Sequence, residues 1–139
     1  ELLDPAIWRR FSTVITLEKP CSEERRQLLK LYLNQYPNNI LKNSKKISLL
    51  EKSFEGFSHS DIRTTINNSV KTSIIKGREE ITVCDILKDV YFHKYHGVEN
   101  EEEYIRFLLQ YGATHKEIDE CLDISMRKVQ EISKKMKGE

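Results

Sequence analysis

Apolar side chains recur at the three- and four-residue spacing of helices through most of the chain, whereas one short segment alternates. Residues 12–17, STVITL, are rich in β-branched side chains, which predicts a single strand ended by Pro20. Ser22 is expected to cap a first helix whose apolar stripe runs toward Pro37. A polar loop then separates this helix from a second, shorter one that ends at Gly56.

The third and fourth helices are predicted to begin with the same signal. Asp61 follows Ser58 by three residues, and Asp85 follows Thr82 by three residues, so each pair has the spacing of a capping box. Each aspartate also places negative charge at the positive end of its helix. The apolar periodicity carries the third helix to Gly77.

Three more helices are predicted in the tail. Residues 99–103 are mostly acidic and open a helix that ends at Gly112, while Thr114 and Ser125 are expected to cap two shorter helices. The predicted fold class is therefore mostly α, with one short strand, a four-helix bundle and a small three-helix tail.

The predicted elements divide the chain into four parts. Residues 1–20 hold the strand, residues 21–92 the four-helix bundle, residues 93–100 a linker, and residues 101–139 the tail.

Composition narrows the cellular location expected for the protein. Charged residues make up 32% of the 139 residues and hydrophobic residues 38%, and no long apolar run or signal peptide occurs. These features exclude a membrane protein and favour a cytoplasmic one. Cys21, Cys84 and Cys121 are odd in number and far apart in sequence, so reduced, buried thiols are expected.

One histidine pair has a spacing at which two side chains could share a metal ion. His93 and His96 lie three residues apart, but a zinc site needs further ligands, and none is nearby in sequence. We therefore expect both residues in a linker and no metal site.

An arginine pair near the start of the chain points to phosphate chemistry. Residues 3–11, LDPAIWRRF, place Arg9 and Arg10 directly before Phe11 and the predicted strand. This segment resembles the arginine-finger region of AAA+ ATPases, in which a guanidinium reaches the γ-phosphate bound by the next subunit. The resemblance implies that Arg10 is the finger and that Arg9 supports it. The alternative is an ordinary surface pair of arginines.

The resemblance also implies a part that this chain does not contain. No G-x-x-x-x-G-K-[ST] motif and no Walker B strand occurs, so the chain alone is not expected to hydrolyse ATP. Because it begins with Glu1, directly on the finger motif, we interpret it as the C-terminal fragment of a longer protein. The parent would be an ATPase that forms a homo-oligomeric ring and binds ATP and Mg²⁺ through the missing large subdomain.

A second motif supports the same family. The order GFSHSDI, GREEIT and then Asp85 resembles the signature of the helical lid of bacterial AAA-family ATPases. The bundle over residues 21–92 would then be the lid, and it would contact nucleotide through Gly56, Phe57, His59, Ser60 and Arg63. Core packing is the alternative for Phe57, and an exposed helix face is the alternative for Arg63.

The tail resembles a helix-turn-helix of the kind found in region four of sigma factors. The resemblance implies a DNA-reading helix with the following contact residues: Ser125, Met126, Arg127, Lys128, Gln130 and Lys134. Asp119 and Asp123 depart from the small residues of that pattern. Six basic and six acidic residues follow residue 112, which leaves the tail neutral. A protein-docking helical module is therefore the alternative for the tail.

Two functional classes follow. In the first, the chain is the lid and finger part of an ATPase that remodels a protein or nucleic-acid client. In the second, it is a non-enzymatic DNA-binding or adaptor domain that uses the tail. The sequence leaves open the client, the number of subunits and the choice between Arg9 and Arg10 as the finger.

Overall fold

The computed structural model describes residues 19–138, and these form helices joined by short loops. The mostly α fold class is confirmed. The predicted strand over residues 12–17 and the two candidate finger residues, Arg9 and Arg10, lie outside the described residues. The described helices are α1 (Ser22–Leu33), α2 (Ser44–Ser53), α3 (His59–Ile75), α4 (Val83–Tyr95), α5 (Glu101–Gln110), α6 (His115–Leu122) and α7 (Met126–Lys137).

Capping boxes fix the starts of α3, α4 and α6. In each, a Ser or Thr oxygen accepts from the backbone N–H three residues on, and the carboxylate at that position accepts from the N-cap N–H. The pairs are Ser58 with Asp61, Thr82 with Asp85, and Thr114 with Glu117. The first two boxes and the caps at Thr114 and Ser125 confirm the sequence prediction.

The start of α1 differs from the prediction. Cys21 is the N-cap residue, and its backbone N–H donates to Glu24 Oε1 at 3.2 Å. The hydroxyl of Ser22 instead donates to Glu51 Oε1 at 2.6 Å. Glu51 is buried on α2, and its other oxygen accepts from Arg25 at 2.7 Å. Ser22 is therefore recruited by a buried ion pair from another helix, which no local pattern in the sequence reveals.

All seven helices contribute to one continuous hydrophobic core. Helices α3 and α4 pack against each other, α1 and α2 cover one side, and α5 and α6 pack on α4. Helix α7 lies against α5 and α6. Fully buried side chains come from both the predicted bundle and the predicted tail, and include Leu33, Phe54, Ile66, Leu87, Leu108 and Ile118. The tail therefore folds against the bundle rather than as a separate unit.

Helix α4 extends into the predicted linker. It runs through Tyr95 and ends at His96, which has a left-handed backbone with φ 61°. His93 and Lys94 are consequently helical. The sequence pattern placed the end earlier because the apolar periodicity stops before the helix does.

The cysteines divide into two classes. All three are free thiols, but Cys21 is exposed, in contrast to the expectation that all three would be buried. Cys21 is the N-cap residue of α1 and lies outside the hydrophobic core. Cys84 and Cys121 are buried as expected.

Glu117 is a buried carboxyl on α6 whose ionisation affects the stability of the fold. It is buried, and its Oε1 accepts from the Thr114 N–H, but Oε2 has no hydrogen-bond partner among the described residues. Burial raises the pKa of Glu117 above its usual range. A carboxyl whose pKa is raised by folding stabilises the fold at acid pH, and this contribution is lost as the pH rises through the folded pKa.

We therefore expect Glu117→Gln to raise the free energy of unfolding at about pH 8, with the gain shrinking toward about pH 4. Glutamine keeps the capping-box acceptor and removes the buried charge. Urea unfolding across this pH range measures the difference. Glu120→Gln, at an exposed position of the same helix, is the control and should change little. A loss of stability at about pH 8 would contradict the prediction.

Candidate functional site

The loop before α3 and the first turn of α3 bring together the residues of the first signature. Gly56 has φ 89°, a left-handed conformation that side chains disfavour, so glycine is required for the turn that follows α2. Ser58 then caps α3 by accepting from the Asp61 N–H at 3.0 Å. His59 and Ser60 lie in the first turn, with Ser60 exposed and His59 partly exposed.

Phe57 anchors this loop from inside. Only 3% of it is exposed, and its ring packs edge-on against Phe54 with 5.2 Å between centroids. The ring of His93 lies on Phe57 at 4.3 Å, and the ammonium of Lys94 lies 6.0 Å from its centroid. The surroundings of Phe57 are therefore those of a core residue, which was the alternative to nucleotide contact.

His59 has one ring nitrogen without a partner. Its Nε2 lies 3.9 Å from Glu24 Oε2 on α1. Its Nδ1 is buried and makes no hydrogen bond with the described residues. Because Nδ1 is covered, a ligand that contacts His59 in this structure would meet the exposed part of the ring, which makes up 38% of the side chain.

The other site residues differ in their surroundings. Arg63 is exposed on α3 and makes no ion pair with any residue between 19 and 138. Asp61 Oδ1 lies 3.6 Å from His93 Nε2, so α4 also contributes a side chain to the start of α3. His93 was expected in a linker rather than on this surface. Only the packing of α4 on α3 brings it there, and no local motif encodes that packing.

The second signature forms a separate, structural cluster. Asp85 accepts hydrogen bonds from the Thr82 N–H at 2.8 Å and from the Cys121 thiol at 3.3 Å. Arg78 Nη1 lies 3.3 Å from Asp85 Oδ1. Asp85 is 3% exposed, so this carboxylate joins the loop before α4, the start of α4 and helix α6 inside the fold.

The exposed basic residues of α7 are largely engaged within the protein. Lys128 Nζ lies 2.8 Å from Glu101, and Arg127 pairs with Glu131 at 3.5 Å. Ser125 caps the helix, and the remaining predicted DNA-contact residues, Met126, Gln130 and Lys134, are exposed. These pairs reduce the positive charge that the tail offers to a phosphate backbone.

The turn between α6 and α7 explains one departure from the helix-turn-helix pattern. Asp123 has φ 56° and ψ 29°, the left-handed conformation for which glycine is usual and aspartate is tolerated. Glu117 points into the core rather than toward a DNA surface. The helix-turn-helix assignment of the tail stays a prediction.

The described part of the chain gives no sign of a metal centre or a membrane span. Within residues 19–138, no group of three or more His, Cys, Asp or Glu side chains is arranged to hold a metal ion. In the same range, no helix combines the length and the apolar character needed to cross a bilayer.

Comparison with known proteins bears on the family. The chain is 27% identical over 92 residues to the proteasome-activating nucleotidase of Saccharolobus solfataricus. The match indicates a distant relation to AAA-family ATPases. It covers 65% of this chain but only 23% of that protein, so the chain spans less than a quarter of this relative's length. No protein-family model matches the chain, and no solved structure matches it significantly. A bacterial subgroup stays a prediction.

Proposed function

We propose that this chain is the C-terminal part of an AAA+ ATPase, in which α1–α4 form a lid that closes over ATP. Arg10 would act across the subunit interface on the nucleotide of the neighbouring subunit. The parent would assemble as a ring and use ATP and Mg²⁺ to remodel a protein or nucleic-acid client. The similarity to a proteasome-activating nucleotidase and the two motifs in order support this proposal.

The observation that carries the nucleotide role is the partly exposed ring of His59 in the first turn of α3. Gly56 and Ser60 are exposed beside it, and together with His59 they would face the base and ribose. Phe57 would fix the loop from below, in keeping with its burial. Arg63, one turn along α3 and exposed, is the basic side chain that would reach toward the nucleotide from this helix.

The charges at the start of α3 favour contact with the base and ribose rather than with the phosphates. A helix N-terminus normally attracts anions, but the Asp61 carboxylate already occupies this one and accepts from the Ser58 N–H at 3.4 Å. A phosphate placed there would meet this negative charge. The phosphates and Mg²⁺ would therefore be held by the large subdomain of the parent, where a P-loop is expected.

Replacing His59 by Ala in the complete protein tests the nucleotide role. We expect the Kd for a fluorescent ADP analogue to rise about 5- to 20-fold, because one hydrogen bond and the ring contact are lost. The melting temperature should change little, since the ring is partly exposed and its partner Glu24 lies on the surface.

The matched control is His115→Ala, a histidine in the first turn of α6, which should leave the Kd unchanged. Equal affinities of the His59→Ala variant and the unmodified protein would remove His59 from the site.

A further inference from the structure

An aromatic depression opens between α4 and α5, and we call it the α4–α5 depression. Its volume is about 360 Å³. The residues that line it are Tyr91, Tyr95, Glu103, Arg106, Phe107 and Gln110. Three of the six are aromatic, and Tyr95 is 56% exposed, so the depression can be reached from solvent. None of its residues belongs to the proposed nucleotide site.

The three rings of the depression stand at steep angles to one another. Tyr95 and Phe107 are nearly perpendicular, at 87°, with 6.3 Å between their centroids. The buried ring of Tyr91 supports both, at 4.6 Å from Tyr95 and 5.2 Å from Phe107. Because the faces of such rings are electron-rich, a surface of this kind attracts cations as well as apolar groups.

The charges that line the depression favour a cation over an anion. The Arg106 guanidinium donates to Glu102 Oε1 through two of its nitrogens, at 3.1 and 3.2 Å, so its charge is compensated inside the protein. The Glu103 side chain, by contrast, is exposed and makes no ion pair with any residue between 19 and 138. The depression therefore combines aromatic surface with one uncompensated carboxylate.

The same aromatic cluster already holds one cation of the chain. The ammonium of Lys94 lies 5.6 Å from the centroid of Phe107 and 5.8 Å from that of Tyr111, although Lys94 does not line the depression. Its positive charge weakens the attraction that Phe107 offers to a second cation. Tyr95 and Glu103 are therefore the two side chains expected to provide most of the binding.

We propose that the α4–α5 depression binds an arginine side chain of a protein partner. The guanidinium would stack on the exposed ring of Tyr95 and donate to the carboxylate of Glu103. Arginine fits better than lysine, because a planar guanidinium can stack on a ring and donate two N–H groups to one carboxylate at the same time. This contact would form whether or not the start of α3 binds nucleotide.

The start of α5 argues against a nucleic acid in the same place. Bases also stack on aromatic rings, but a nucleic acid brings its phosphates with it. The first turn of α5 consists of Glu101, Glu102 and Glu103, whose carboxylates would repel those phosphates.

NMR of the aromatic side chains during titration of the full chain with N-acetylarginine amide tests this site. We expect the ring resonances of Tyr95 and Phe107 to shift as the ligand binds. N-acetylcitrulline amide has the same length but no charge, and it should bind at least about tenfold more weakly. Glu103→Gln should weaken the arginine ligand about 5- to 10-fold, and Tyr95→Ala about three- to fivefold.

Glu23→Gln is the matched control, because it removes the same charge from an exposed first-turn position of α1 and should leave the affinity unchanged. Since Tyr95 and Glu103 are also exposed, neither variant should lower the melting temperature appreciably. Equal affinities for the arginine and citrulline ligands, or equal weakening by Glu23→Gln and Glu103→Gln, would overturn the proposal. Ring shifts caused by single-stranded oligothymidylate but not by the arginine ligand would overturn it as well, and would assign the depression to nucleic acid.

Discussion

Replacing Arg10 by Ala in the complete protein is expected to lower the ATP turnover number by about 10³-fold or more. In the proposed ring, the guanidinium stabilises negative charge that develops on the γ-phosphate during transfer, an interaction made only in the transition state. The Kd for ATP should therefore stay within about threefold of the original value, since ground-state binding does not depend on the finger.

Steady-state ATPase assays and nucleotide titration measure the two quantities separately. Arg9→Ala is the matched control and should reduce turnover far less, because the motif assigns this residue a supporting role. Arg10→Lys should not restore activity, since an ammonium cannot reproduce the fork geometry of the guanidinium. Unchanged turnover in Arg10→Ala would reject the finger assignment, and a larger loss in Arg9→Ala would transfer the role to that residue.

Asp85→Ala is expected to lower the free energy of unfolding by about 3 kcal/mol. The substitution removes the buried acceptor for the Thr82 N–H and for the Cys121 thiol, and it leaves Arg78 without its carboxylate. Arg78 is itself 18% exposed, so its charge would be left partly buried and unpaired.

The matched comparison is Asp61→Ala. Asp61 occupies the same N3 position of a capping box, but its side chain is 44% exposed and its bond to the Ser58 N–H is longer, at 3.4 Å. We expect a loss of about 1 kcal/mol there. Urea unfolding of both variants gives the comparison, and equal losses at the two positions would show that the buried contacts of Asp85 add nothing beyond helix capping.

The starts of most helices could be predicted because their signals are local. Ser58 with Asp61 and Thr82 with Asp85 carry the capping-box spacing within four residues, and the structure forms both boxes. Such signals involve neighbouring residues only, so tertiary packing rarely overrides them. The second helix was predicted to end at Gly56, but α2 ends at Ser53, and Gly56 lies in the turn that follows.

Errors arose where a distant residue decided the outcome. Ser22 has the chemistry of a cap, but Glu51, 29 residues away, takes its hydroxyl. A second error was local: the apolar periodicity of α4 stops before the helix does, and the helix continues to Tyr95 with His96 as its left-handed C-cap. Neither feature can be read from the periodicity of the segment itself.

The candidate site was predictable in part for the same reason. The loop motif placed Phe57, His59 and Ser60 together because they are adjacent in sequence. It could not show that Phe57 is buried or that His93 lies on it, since both depend on how α4 packs against α3. The hydrogen bond from the Cys121 thiol to Asp85 was equally hidden, because it requires the contact between α4 and α6.

Because the core is continuous, helices α5–α7 are fixed to the proposed lid helices α1–α4. Helices α5 and α6 pack directly on α4, and α7 packs on both, so a rotation of α1–α4 carries the tail with it as one rigid arm. In the proposed ring, rotation of the lid on nucleotide binding would displace α7 at the periphery of the ring. A partner that binds α7 in one orientation would then change the nucleotide affinity of that subunit. By thermodynamic reciprocity, nucleotide would change the affinity of the subunit for that partner by the same factor.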